Sequence, residues 1–140
     1  MKRRKIHITD EDMQRLSELL KQALSRNDMD KPYLIALRDV LKSARIVSPG
    51  SVSPDIVTMQ SRIRVKDKAD GQSDELTLVF PEQVEAEEGN VSVVAPLGAA
   101  LLGCRVGDDV AFRIPKGTRT IEVEAILYQP EAAGKTDGRG

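Results

Sequence analysis

Aromatic side chains are almost missing from this chain, which has no tryptophan, two phenylalanines and two tyrosines, or 3% of 140 residues. A surface that stacks bases needs several exposed rings, so a platform for single-stranded nucleic acid is not expected, and the interior has to be built from Val, Leu, Ile and Ala. Cysteine is equally scarce. The single Cys104 excludes an internal disulfide and fits a reducing compartment. Its place at the end of a leucine-rich stretch reads as that of a small buried hydrophobe. With His7 as the only histidine, the chain has too few ligands of the kind a closed zinc site wants and no rigidly placed base for a serine triad. No catalytic residue, metal site or cofactor is expected. Charge of one sign is also lacking, because 21 Lys and Arg face 22 Asp and Glu for a net charge of −1. Affinity for nucleic acid driven by net charge is therefore not expected, and any link to nucleic acid runs through a protein partner. No stretch reaches the roughly 20 apolar residues that span a bilayer. The basic opening Lys2-Arg3-Arg4-Lys5 leads into Ile6 to Asp10 without the apolar core of an export signal, so a soluble, cytoplasmic chain is expected.

What is present is a clear change of period. A length of 140 residues holds one ordinary domain, or a small domain with an appendage. Thr9 followed by Asp12 approximates a capping box, and Asp10, Glu11 and Asp12 crowd the positive end of a helix that starts at Thr9 or Asp10. Met13, Leu16, Leu20 and Ala23 recur at helical spacing, with Leu19 and Leu24 alongside, to an end near Ser25 to Asn27. Pro32 can open a second helix, in which Leu34, Leu37, Leu41 and Ala44 repeat the pattern, flanked by Ile35 and Val40. Two amphipathic helices joined by a short polar link should fold back as an antiparallel hairpin, since neither buries its stripe alone.

Ser48-Pro49-Gly50-Ser51-Val52-Ser53-Pro54 interrupts the periodicity and reads as a linker. Beyond it the period is two. Strands are expected at Ile56 to Thr58, Ser61 to Val65, Leu76 to Phe80, Val91 to Val94, Val110 to Ile114 and Thr120 to Leu127, with turns at Asp70-Gly71, Glu88-Gly89-Asn90 and Lys116-Gly117. Pro96 to Leu102 is the one helical signal among them, opened by the proline and closed by Gly103. The fold class expected is α+β: a helical hairpin over 1–48, a linker over 49–55, a mostly antiparallel β domain with one short helix over 56–131, and a flexible tail over 132–140.

Few residue groups carry candidate chemistry. Gly98, Gly103 and Gly107 match neither phosphate-loop spacing, and are read as helix start, helix stop and strand turn. His7 is read as a solvated side chain. Asp28 and Asp30, at the hairpin tip, suit a divalent cation shared with another macromolecule or, more simply, a solvated turn. Arg62, Arg64, Lys66 and Lys68 alternate along a strand and its exit, which places them on one face. That face is either solvated or directed at an acidic partner, and Glu82, Glu85, Glu87 and Glu88 offer opposite charge from within the chain.

The run from Val91 to Pro96 and on through Leu97-Gly98-Ala99-Ala100-Leu101-Leu102-Gly103 to Val106-Gly107-Asp108, with the closing strand Ile121-Glu122-Val123-Glu124-Ala125-Ile126-Leu127-Tyr128, resembles the C-terminal domain of the Gre transcript-cleavage factors. A branch of that family described as regulators of nucleoside diphosphate kinase is similar at further points: Val57 to Arg62, Leu76 to Pro81, and Tyr128-Gln129-Pro130-Glu131-Ala132-Ala133-Gly134. The resemblance implies a short antiparallel coiled coil followed by an FKBP-like domain that docks on core RNA polymerase, the coiled coil entering the secondary channel. The docking positions correspond here to Val94, Ala95, Pro96 and Leu97, where the family's polar residues before the proline are replaced by Val94 and Ala95.

Helices of about 16 residues reach roughly 24 Å, whereas Gre coiled coils are much longer and carry metal-holding carboxylates to the polymerase active centre. Transcript cleavage is therefore not expected to carry over. The resemblance also implies nucleoside diphosphate kinase as an alternative protein partner. The FKBP-like fold raises a prolyl isomerase as an enzymatic alternative, although fold alone does not carry function. Phe80, Phe112, Tyr33 and Tyr128 are few for a proline pocket.

Overall fold

Thr9 is the residue that starts the first helix, its Oγ1 accepting the Asp12 backbone N–H at 3.3 Å while its carbonyl accepts from Met13 N–H at 2.9 Å. The computed structural model describes residues 6–25 and 32–134. Within them a two-residue strand β1 (His7–Ile8) runs into helix α1 (Asp10–Ser25). Helix α2 (Pro32–Ser43) leads into β2 (Arg45–Ile46), which lies parallel to β1. After a 3-10 turn at Pro49–Ser51 come β3 (Arg62–Asp67), β4 (Ser73–Val79), a second 3-10 turn at Pro81–Ala86, β5 (Asn90–Ser92), helix α3 (Pro96–Leu101), β6 (Asp109–Ile114) and β7 (Gly117–Tyr128). The class is mixed α+β, with helices first and a curled sheet after them.

The sheet has the order β5-β4-β3-β7-β6. Every pairing is antiparallel except β5 against β4, where the 3-10 turn carries the chain across so that it runs back parallel. Two register shifts between β3 and β7, at Arg62/Ile63 and Arg64/Val65, put extra residues into β7 and bend it. Ile56 to Thr58, expected as a strand, makes only an isolated bridge from Ile56 to Arg105. Val57 N–H bonds to the Cys104 carbonyl, and Thr58 turns back on Ser61. The stretch expected as a linker is ordered by its 3-10 turn and by the buried Val52.

One hydrophobic cluster runs through the whole structure. Leu16, Leu20, Leu34, Leu37 and Leu41 of the helices belong to the same buried set as Ile63, Leu78, Leu101, Val110 and Val123. α2 packs on α3, so the helices lie against the sheet unit. Gly103 makes this approach feasible: at φ +84° it is in the left-handed region, and a Cβ there would sit 2.0 Å from Ile6 Cγ2. Ala132 to Gly134, in the stretch expected to be flexible, form a turn in which Ala133 N–H bonds to Gln129 O at 3.0 Å.

Candidate functional site

The turn formed by Val94, Ala95, Pro96 and Leu97 is made by the close of β5 and the start of α3. Val93 N–H bonds to Val79 O at 2.9 Å and Ala95 N–H to Ser92 O at 3.0 Å. The Ser92 hydroxyl accepts Val94 N–H at 3.1 Å. Pro96 stands in the first turn of α3, where its missing N–H costs nothing. Gly98 is more than a helix-start residue. A Cβ on it would lie 1.9 Å from the Ser92 carbonyl oxygen, so only glycine lets the helix begin this close to the strand before it. All four turn residues are half-buried, with Val94 and Leu97 packed against the core cluster.

The turn is braced from behind. Gln60, at φ +69°, is the one non-glycine residue with positive φ among the described residues. Its Nε2 donates to Gln83 Oε1 at 2.6 Å, and Gln83 Oε1 also accepts Phe80 N–H at 3.3 Å. Asn90 Nδ2 donates to the Gln83 carbonyl at 2.8 Å, which ties the 3-10 turn to β5. Nothing in the sequence marks Gln60 for the left-handed conformation. Contacts distant in sequence hold it there: its backbone N–H bonds to Leu78 O at 2.7 Å and its side chain to Gln83, 23 residues away.

Arg62 and Arg64 stand exposed on the outer face of β3, with Lys66 half-buried beside them. Acids from neighbouring strands meet the basic side chains there: Arg62 to Glu75 at 2.5 Å, Arg64 to Glu124 at 3.6 Å, and Lys68 to Asp109 and Glu122 at 3.7 and 3.8 Å. Glu82, Glu85, Glu87 and Glu88 are not the acids that meet this face. Glu82 pairs instead with Arg15 of α1 at 3.3 Å, and that guanidinium lies 3.7 Å above the centroid of the Phe80 ring.

Asp28 and Asp30 lie outside the described residues. His7 departs from the solvated side chain expected of it: it is half-buried, and its Nδ1 is enclosed without a hydrogen-bond partner. It lines a narrow cavity with Asp12, Thr58 and Glu131, where β1, α1, the turn at 57–59 and the segment after β7 meet. Thr58 Oγ1 donates to Glu131 Oε1 at 2.8 Å. Asp12 is pushed up from the ordinary aspartate value of 3.8 to about 6, first by burial and then by the negative charge of Glu131. Sequence spacing carries no signal of this meeting, since the two acids are far apart in the chain. Among the described residues no group of three or more His, Cys, Asp or Glu is placed to hold a metal ion, and no helix is long and apolar enough to cross a membrane.

The fold and turn define a class that sequence comparison also finds. The family model for the C-terminal region of GreA/GreB transcription elongation factors matches residues 52–128, and the model for the Rnk N-terminus matches residues 4–47. The chain belongs to the GreA/GreB transcription elongation factor family. It is 41% identical over 135 residues to the regulator of nucleoside diphosphate kinase of Escherichia coli K12, covering 96% of this chain and 97% of that protein. A GreA from Syntrophomonas wolfei is 27% identical, covering 84% of this chain and 86% of that one. Among solved structures, a GreA/GreB elongation factor from Nitrosomonas europaea is similar at a TM-score of 0.75 and 31% identity, over 90% of this chain and all of that one.

Proposed function

We propose that this protein is a transcription regulator that binds core RNA polymerase through the turn Val94-Ala95-Pro96-Leu97 and does not stimulate transcript cleavage. Membership of the GreA/GreB family supports the partner. The helices carry the rest of the reading: α1 has 16 residues and α2 only 12, lengths of roughly 24 and 18 Å. In this reading they pair as a short hairpin on an FKBP-like domain. The hairpin sits at the entrance of the secondary channel, too short to bring Asp28 and Asp30 to the active centre, and there it excludes longer factors of the family. The half-buried turn supplies apolar contact from Pro96 and Leu97, held in shape by Gly98 and Ser92.

The test is a pull-down with core polymerase. Pro96→Asp should lower affinity at least tenfold with an unchanged circular dichroism spectrum. The double variant Asp28→Ala with Asp30→Ala should bind as the native chain does. Native affinity in Pro96→Asp, or lost binding in the tip variant, would remove the docking assignment. Competition against a long cleavage factor checks the channel reading, since both proteins should displace one another.

A second reading, direct regulation of nucleoside diphosphate kinase, rests on the name of the relative that is 41% identical. Co-purification with the kinase in place of the polymerase would favour it. A prolyl isomerase gains no support from the aromatic side chains among the described residues. Phe80 is buried beneath Arg15, Phe112 is half-buried on β6, and Tyr128 is exposed across from Arg62.

A further inference from the structure

We propose that Asp12, set against Glu131 in one cavity, forms a proton-operated latch between α1 and the sheet unit, closing when the Asp12 carboxyl takes up a proton and loosening when it is charged. Asp12 is in the first turn of α1, and Glu131 follows β7 in a segment tied by Gln129 to the stretch that precedes β3, its Nε2 donating to Ser53 O and Ile56 O, both at 2.8 Å. The two acids line one cavity of about 10 Å³ with Ile6, Val57, Met59 and Leu102. Such a volume is at the lower limit for one water molecule, and a hydrated counter-ion does not fit. Paired negative charge in that space is relieved by a proton far more readily than by a metal cation.

Charged and polar groups face Asp12 from the elements around the cavity. From α1 itself, Glu11 adds repulsion on Asp12, while Arg15 and the Thr9 hydroxyl favour the carboxylate. From β1 comes His7, the other ionisable group lining the cavity. The 57–59 turn contributes no charge but holds Glu131 in place through the Thr58 hydroxyl. Leu102 contributes none either. Burial and the repulsion from Glu131 outweigh Arg15 and Thr9, and Asp12 therefore keeps its proton up to about pH 6.

The sign follows from linkage. In the unfolded chain Asp12 takes up its proton only near 3.8, and in the folded chain near 6. The stabilisation is fully present below 3.8 and is lost as the pH rises through 6. For these two values the folding constant increases about tenfold between pH 7.5 and pH 5.

Urea denaturation of the full chain at a series of pH values measures this directly. The native protein should gain about tenfold in folding constant from pH 7.5 to 5. Asp12→Asn should lose that gain, Glu131→Gln should shrink it, and His7→Gln should retain it. If Asp12→Asn follows the native profile in parallel, or if His7→Gln abolishes the gain, the latch is not this carboxyl pair. Should Asp12→Asn fail to fold, the carbon chemical shift of the Asp12 carboxyl in the native protein decides. A midpoint near 6 supports the latch, and one near 4 overturns it.

Discussion

A methyl group on Gly98 would be placed 1.9 Å from a backbone oxygen that has nowhere to go, because the carbonyl of Ser92 already accepts Ala95 N–H. Gly98→Ala should therefore cost about 3 kcal/mol, at the upper end of overpacking effects. Gly107 makes the contrast. Its φ of +96° strains any other residue, but a Cβ there meets open space, so Gly107→Ala should cost only about 1 kcal/mol. Paired urea denaturation curves check both. Equal losses would mean that the Ser92 carbonyl gives way to a methyl group on Gly98. The sequence showed a glycine after the proline and could explain it only as part of a helix start. The carbonyl that makes glycine obligatory is six residues back and is brought to it by the fold.

At the scale of elements, α1 is held on the sheet unit by a contact outside the core. Arg15 stacks on Phe80 while bonding to Glu82. The ion pair is exposed on both sides and contributes little, so the stack should dominate. A double-mutant cycle between Arg15→Ala and Phe80→Leu should give a coupling of about 0.5–1 kcal/mol, and one between Arg15→Ala and Glu82→Gln a smaller value. The reverse order would make the ion pair the principal contact. The helices themselves were legible from spacing, because one strongly periodic stripe needs only local sequence. α2 is nonetheless shorter than the roughly 16 residues expected, ending at Ser43 after 12. The chain is drawn there into β2, where Arg45 N–H bonds to Ile6 O. That parallel pairing joins residues nearly forty positions apart and leaves no local trace. The basic face of β3 was legible as a face, since alternation places it. Its neutralising acids were not, because cross-strand neighbours depend on register, and β7 carries two bulges.

In the whole molecule the decisive feature is that helices and sheet share one hydrophobic cluster. Leu37, 1% exposed in α2, belongs to it along with Val123 in the middle of the sheet. Leu37→Ala should lower stability by about 2–5 kcal/mol. Helix and sheet should still unfold together, giving coincident transitions by far-UV circular dichroism and by amide exchange of β3 and β7. Separate transitions would show that the helices are an independent unit. The latch at Asp12 and Glu131 sits where this shared core meets solvent, and its pH dependence should therefore be visible in the global folding constant. The period of three to four in residues 10–44, the period of two after residue 60, and the proline and glycine punctuation are properties of neighbours in the chain, so the sequence by itself determined the helices and most of the strands, and its residue runs from Val91 to Asp108 and from Ile121 to Tyr128 carried the resemblance to the family. The tertiary structure alone decided which carbonyl faces Gly98, which acids meet Arg62 and Arg64, and that two carboxyl groups from opposite ends of the chain share a cavity, because those contacts are set by packing and register across segments distant in sequence.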